Sequence, residues 1–127
     1  MIRSNSELGD QLVVEVMVQE LDRSLAFYTA LGFKLERRDG DFAALRFEER
    51  EFFLDQRSDL APLSGPARAN VRILTNDVDA VWAAVHALGL PVERPIGDRY
   101  DGLRDFTVLD PDGFGLRFAG PLSLPRR

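Results

Sequence analysis

The chain has 127 residues, 45% hydrophobic and 29% charged, with a formal net charge of −5 from 21 acidic and 16 basic side chains. That length suits one domain or two tightly fused halves, and it can bury a core without covalent staples. Cysteine is absent, which removes disulfides, thiol nucleophiles and thiolate metal sites, and a single histidine, His86, excludes a His-rich metal centre. The acidic balance argues against a nucleic-acid partner, because phosphate contacts need clustered cations. No apolar run approaches the ~20 residues of a membrane span, and residues 1–5 carry no apolar core ahead of a cleavage site. The expected location is the cytoplasm, with no membrane partner.

In chain order, residues 11–18 are short and rich in β-branched side chains, and read as a strand. Glu20 or Asp22 opens a helix, where acidic groups suit the positive end of the dipole. Leu21, Leu25, Tyr28 and Leu31 follow helical spacing, and Gly32 is placed to end the helix. Residues 33–38 form a second strand, and Asp39-Gly40 is a hairpin turn signal. Residues 42–47 and 51–55 make two more strands. A stretch over 57–67 containing Asp59, Pro62, Ser64, Gly65 and Pro66 is a linker. The pattern then restarts with a strand over 69–75 and a helix over 77–88, whose buried stripe is Val78, Val81, Trp82, Val85 and Leu88. Residues 94–102 read as a polar loop. Strands over 103–109 and 114–119 are joined by Asp110-Pro111-Asp112-Gly113, which has the side chains of a type I turn.

The chain is built twice. Residues 21–33 align with 78–90 at a constant offset of 57 positions, and Asp22/Asp79, Ala26/Ala83, Ala30/Ala87, Leu31/Leu88 and Gly32/Gly89 are identical. The expected fold class is therefore α+β: two tandem βαβββ modules, residues 11–56 and 68–120, within one domain spanning 1–127. Each curved mixed sheet carries its helix on the convex side and leaves the concave side open to a ligand.

Strand parity assigns side chains to that open face. Glu15 and Met17 share it in the first strand, Phe53 and Asp55 in the fourth. Asn70, Arg72 and Leu74 share it in the second module, with Arg117 on the closing strand. Charges pointing into a semi-enclosed face are costly unless paired or solvated, as in Glu15–Arg72 or Glu15–Arg117 pairs. Arg104 and Asp105 have opposite parity, so only one of them can face the ligand. Trp82 belongs to the core stripe, and His86 is a half-exposed residue at a helix end. No Gly-rich phosphate loop, Ser-centred elbow or paired-carboxylate signature is present.

The run Leu21-Asp22-Arg23-Ser24-Leu25-Ala26-Phe27-Tyr28 with Leu31-Gly32-Phe33 resembles the first-module signature of the vicinal oxygen chelate superfamily. Gly102-Leu103-Arg104-Asp105-Phe106, followed by Asp110-Pro111-Asp112-Gly113 and Leu116-Arg117-Phe118, resembles its closing signature and is most similar to the bleomycin resistance proteins. The resemblance covers roughly residues 11–120 and is more specific for fold than for function. In the metalloenzymes of that superfamily a His or Gln early in each module and a Glu in each last strand hold a metal. The resemblance places those positions here at Val13, Asn70, Phe53 and Arg117. Val and Phe have no lone pair to donate, Arg is permanently cationic, and Asn is a weak ligand, so no metal and no cofactor is expected. What the resemblance implies is a small-molecule-binding homodimer of the bleomycin resistance type. Its expected binding residues are Glu15, Phe53, Asp55, Asn70, Arg72, Tyr100 and Arg117, with Tyr100 stacking on a planar ligand. The competing expectation is a metal-dependent lyase, isomerase or dioxygenase using other ligands.

Overall fold

The repeated sequence builds two four-stranded mixed sheets, each covered on one face by one helix. The computed structural model describes residues 12–61, 64, 68–99 and 101–122. It divides into two compact units, Met1–Pro62 and Leu63–Arg127. Unit one contains β1 (Val14–Val18), α1 (Leu21–Ala30), β2 (Lys34–Asp39), β3 (Phe42–Phe47) and β4 (Arg50–Gln56), in sheet order β1-β4-β3-β2. Unit two contains β5 (Asn70–Leu74), α2 (Val78–Ala87), β6 (Val92–Asp98), β7 (Leu103–Leu109) and β8 (Gly115–Pro121), in sheet order β5-β8-β7-β6. In each sheet the first strand runs parallel to the last, and the remaining pairs are antiparallel. This is the α+β architecture of two βαβββ modules that the repeat implies.

Period-two alternation decides which side each helix covers. Under α1 lie Val16, Val18, Phe52, Leu54 and Leu45, all buried. Tyr28 packs against Phe27, Phe33 and Phe52 with ring centroids 5.1–5.2 Å apart, an aromatic cluster that locks helix to sheet. Under α2 the fully buried Phe106 stacks on Phe118 at 5.1 Å and meets Trp82 edge-on at 5.0 Å. Gly120 also lies beneath α2. A Cβ there would stand 2.6 Å from the Thr75 carbonyl oxygen and 3.2 Å from Val78 Cβ, so only glycine permits this approach of helix to strand.

The two helices begin differently and end alike. The Asp77 carboxylate accepts the Ala80 N–H at 3.1 Å and caps α2, whereas the first amide of α1, Leu21 N–H, donates to Gln56 Oε1 at 2.8 Å from the end of β4. Gly32 (φ 104°) and Gly89 (φ 69°) terminate them in the left-handed region, as expected from their positions. Asp110 organises the β7–β8 turn by accepting the N–H groups of Asp112 and Phe114 at 2.9 and 2.8 Å.

The segment expected as a polar loop over 94–102 is instead mostly strand: β6 runs Val92–Asp98. It is an edge strand with two register shifts, it contains Pro95 and Gly97, and most of it is exposed. An edge position tolerates a proline that cannot donate to the ladder, and an exposed strand needs no apolar alternation. The α2 stripe is also narrower than expected: Val78 and Val85 are buried, Val81 and Trp82 half-buried, and Leu88 is 49% exposed. In α1, Ser24 is fully buried and its hydroxyl has no hydrogen-bond partner among the described residues.

Two substitutions check this packing. Phe106→Ala removes the centre of the unit-two aromatic stack and is expected to cost about 3–5 kcal/mol in urea unfolding. Ser24→Ala deletes an unsatisfied buried hydroxyl and is expected to be neutral or to stabilise by about 1 kcal/mol; a loss above that size would show that the hydroxyl is satisfied.

Candidate functional site

In each unit the sheet face turned away from the helix carries polar and aromatic side chains. In unit one, Glu15 pairs in register with Phe53, and Met17 with Asp55. Phe53 lies beside Ala44 of β3, and Asp55 beside Phe42. Phe42 and Phe53 meet edge to face at 5.1 Å, and the Arg37 guanidinium sits 5.7 Å from the Phe42 ring centroid. Asp55 lies 3.6 Å from Arg57. Glu15 is exposed and makes no salt bridge among the described residues. The result is a half-buried aromatic pair flanked by two carboxylates. Phe42 was not among the expected residues, although the parity of β3 places it on this face with Ala44.

In unit two, Asn70 opens β5 opposite Gly115, and Arg72 is in register with Arg117. Arg117 is opposite Thr107, and Thr107 is opposite Arg94. One transverse row across all four strands therefore reads Arg72–Arg117–Thr107–Arg94. The next row contains Leu74, Ala119, Asp105 and Gly97. Of the two residues with opposite parity in β7, it is Asp105 that turns to this face. Arg104 points under the helix edge and makes a two-pronged pair with Asp79 in the first turn of α2.

Asp105 is the electrostatic centre of the face. It is completely buried, Arg99 Nε donates to its Oδ1 at 2.8 Å, and Arg117 Nε donates to its Oδ2 at 2.7 Å, with a second bond from Arg117 Nη2 to the same oxygen. Burial alone would raise the Asp105 carboxyl, but the hydrogen bonds and charges of Arg99 and Arg117 outweigh it and hold the group below its ordinary 3.8. Asp101, in the β6–β7 connection, lies 3.3 Å from Arg117 and 3.6 Å from Arg72. Arg72, Arg99 and Arg117 therefore find their counter-ions within unit two, at Asp101 and Asp105. Asp101 and Arg99 fall in the stretch expected to be a loop, and no periodicity could have assigned them to this face. Tyr100 lies outside the described residues.

Of the four positions where the resemblance places metal ligands, Val13 precedes β1, Phe53 is in the aromatic pair, Asn70 is exposed, and Arg117 is bonded to Asp105. This donor set does not fit a divalent cation: it offers one amide oxygen, two hydrocarbon side chains and a fixed positive charge. Among the described residues no group of three or more His, Asp or Glu side chains is disposed to hold a metal ion, and no helix is long and apolar enough to cross a membrane.

The chain belongs to the glyoxalase/bleomycin resistance protein/dioxygenase superfamily, whose family model matches residues 11–118. It is 37% identical over 113 residues to an uncharacterized protein of Mycolicibacterium smegmatis, covering 87% of this chain and 93% of that protein. Its fold is similar to that of a glyoxalase/bleomycin resistance protein/dioxygenase from Alicyclobacillus acidocaldarius (TM-score 0.76, 21% identity, 97% of this chain and 96% of that one). It is also similar to a bleomycin-binding protein in complex with bleomycin (TM-score 0.72, 21% identity, 87% and 98% of the two chains).

The buried carboxylate makes two expectations. Arg117→Met leaves Asp105 with one cationic partner and is expected to destabilise the protein by about 3 kcal/mol in chemical unfolding at pH 7. Because the folded-state carboxyl titrates below its unfolded value, its contribution is complete above about pH 4 and is lost as pH falls through the folded value. Asp105→Asn, compared with the parent by urea unfolding at neutral pH and near pH 3, is expected to be less stable at neutral pH and to lose less on acidification.

Proposed function

We propose that this chain is a metal-independent small-molecule-binding protein of the bleomycin resistance type, which sequesters its ligand rather than converting it. The observation that supports this most strongly is Arg117. At a position where the superfamily's metalloenzymes are expected to place a carboxylate ligand, this protein has a guanidinium fixed by a buried carboxylate. A cation at that point meets repulsion rather than a donor. Sequestration needs only affinity, so the absence of a catalytic constellation is compatible with it.

In this reading the Phe53 ring supplies apolar contact together with Tyr100. Glu15 and Asp55 anchor cationic groups of the ligand, and Asn70, Arg72 and Arg117 anchor polar or anionic ones. The protein works as a cytoplasmic homodimer with the ligand in a cleft at the subunit interface, and a glycopeptide antibiotic of the bleomycin class is the first ligand to try. The relative crystallised with bleomycin supports that choice by its fold.

Isothermal titration with bleomycin is expected to give saturable heat at micromolar drug, and Phe53→Ala is expected to weaken binding about tenfold, the size of one lost aromatic contact. No heat from the parent protein rejects the antibiotic as ligand. A thermal-unfolding series with Zn²⁺, Ni²⁺, Mn²⁺ and Fe²⁺ is expected to show no specific stabilisation. A rise of several degrees with one ion would favour a metal-dependent lyase, isomerase or dioxygenase instead.

A further inference from the structure

The transverse row on unit two poses an electrostatic problem. Arg72 and Arg117 occupy directly paired positions on neighbouring strands, which lie ~4.8 Å apart. Like charges so placed repel each other, and Arg94 adds a third cation to the row. Asp105 neutralises Arg117 from the adjoining row, but it makes no bond to Arg72. The anion between the two guanidinium groups is Asp101. Its Oδ2 stands 3.3 Å from Arg117 Nη2 and 3.6 Å from Arg72 Nη2. Both distances are long for charge-assisted bonds, which run to about 2.7–2.9 Å. Arg72 is 40% exposed and Asp101 28% exposed at the side chain, so this occupant is held loosely and within reach of solvent.

We infer that the Arg72–Arg117 pair is a subsite for the carboxylate of a small-molecule ligand, and that Asp101 is the protein's own stand-in for it, displaced when the ligand binds. This rests on the reading of the open face as ligand-binding and names the chemical class for unit two. The surroundings suit a carboxylate with a compact apolar body. Along β8 the neighbours of Arg117 on this face, Gly115 and Ala119, are small and buried, and the apolar surface offered to solvent beside the pair is Leu74, 68% exposed. Asp105 acts as the positioning residue: by taking Nε and one Nη of Arg117 it sets the plane in which the guanidinium meets an incoming anion.

The test uses benzoate as the probe, with inorganic phosphate as the competing oxyanion, at constant ionic strength. Asp101 also has a local role, because its Oδ1 accepts the Leu103 N–H at 3.3 Å. Asp101→Asn keeps that acceptor while removing the charge, so it tests competition rather than the turn. Arg72→Gln is chosen over an Arg117 variant because Arg72 is exposed and does not support Asp105. In NMR titrations of the full chain, the parent is expected to bind benzoate with shifts at the Arg72 and Arg117 Nε–H signals. Asp101→Asn is expected to bind it about tenfold more tightly, and Arg72→Gln about tenfold more weakly. Stronger binding of phosphate than of benzoate would reassign the subsite to phosphoryl groups and overturn the carboxylate assignment. Asp101→Asn binding no tighter than the parent, or no binding by any of the three proteins, overturns the inference altogether. Heat from bleomycin with an inert Asp101→Asn would leave the sequestration reading standing alone. Tight benzoate binding without any response to bleomycin would do the reverse.

Discussion

A carboxylate with no exposure to solvent has to be surrounded by positive charge or lose its own, and Asp105 is such a group. It sits in the middle strand pair of the second sheet, on the face without a helix, and two guanidinium groups enclose it. Much of the layout of that face follows. Arg117 is held in one orientation by two bonds, and Arg99 is drawn back so closely over Gly97 that a Cβ there would stand 2.8 Å from Arg99 Nη1 and displace the end of that side chain. Asp105 does not reach Arg72, whose counter-charge is the loosely held Asp101. A buried ion pair of this kind adds little net stability over apolar packing, but it fixes geometry.

The two units share a frame and differ in what they present. In both, an aspartate in the first helical turn holds an arginine from the sheet, Asp22 with Arg38 and Asp79 with Arg104, and a glycine ends the helix. The repeat has kept the first-turn aspartate and the helix-ending glycine, while the arginine that meets the aspartate comes from β2 in unit one and from β7 in unit two. It has not kept the residues on the opposite face. Unit one shows an aromatic pair between Glu15 and Asp55, whereas unit two shows a row of arginines countered by aspartates. Conservation of the joint with divergence of the exposed face is how one scaffold comes to serve different ligands.

The helices, six of the eight strands and the closing turn were legible because each is written in local chemistry: period 3.6 or 2, an acidic start, a glycine at positive φ, and Asp-Pro-Asp-Gly. β2 was legible mainly through the turn that follows it, since all six of its residues are exposed. β6 was not, because an irregular edge strand carrying Pro95 has neither the alternation nor the composition of a paired one. Parity sufficed to assign Glu15, Phe53, Asp55, Asn70, Arg72 and Arg117 to faces. It could not show what those side chains bond to. Asp105 and Asp101 lie 12 and 16 positions from Arg117, and Arg99 and Asp101 reach the face from a connection with no period. Ion pairing across strands depends on register and loop path, which the linear pattern does not encode.

Our functional reading turns on the chemistry at Arg117 and its neighbours. A guanidinium anchored to a buried carboxylate suits recognition of a polar or anionic group and opposes capture of a divalent ion. The most direct measurement is elemental analysis of the full chain purified natively without chelators or an affinity metal. The expected result is a metal content far below one equivalent per chain for every transition metal. One stoichiometric equivalent of a single metal, retained through gel filtration, would contradict the reading and place the protein among the superfamily's metalloenzymes.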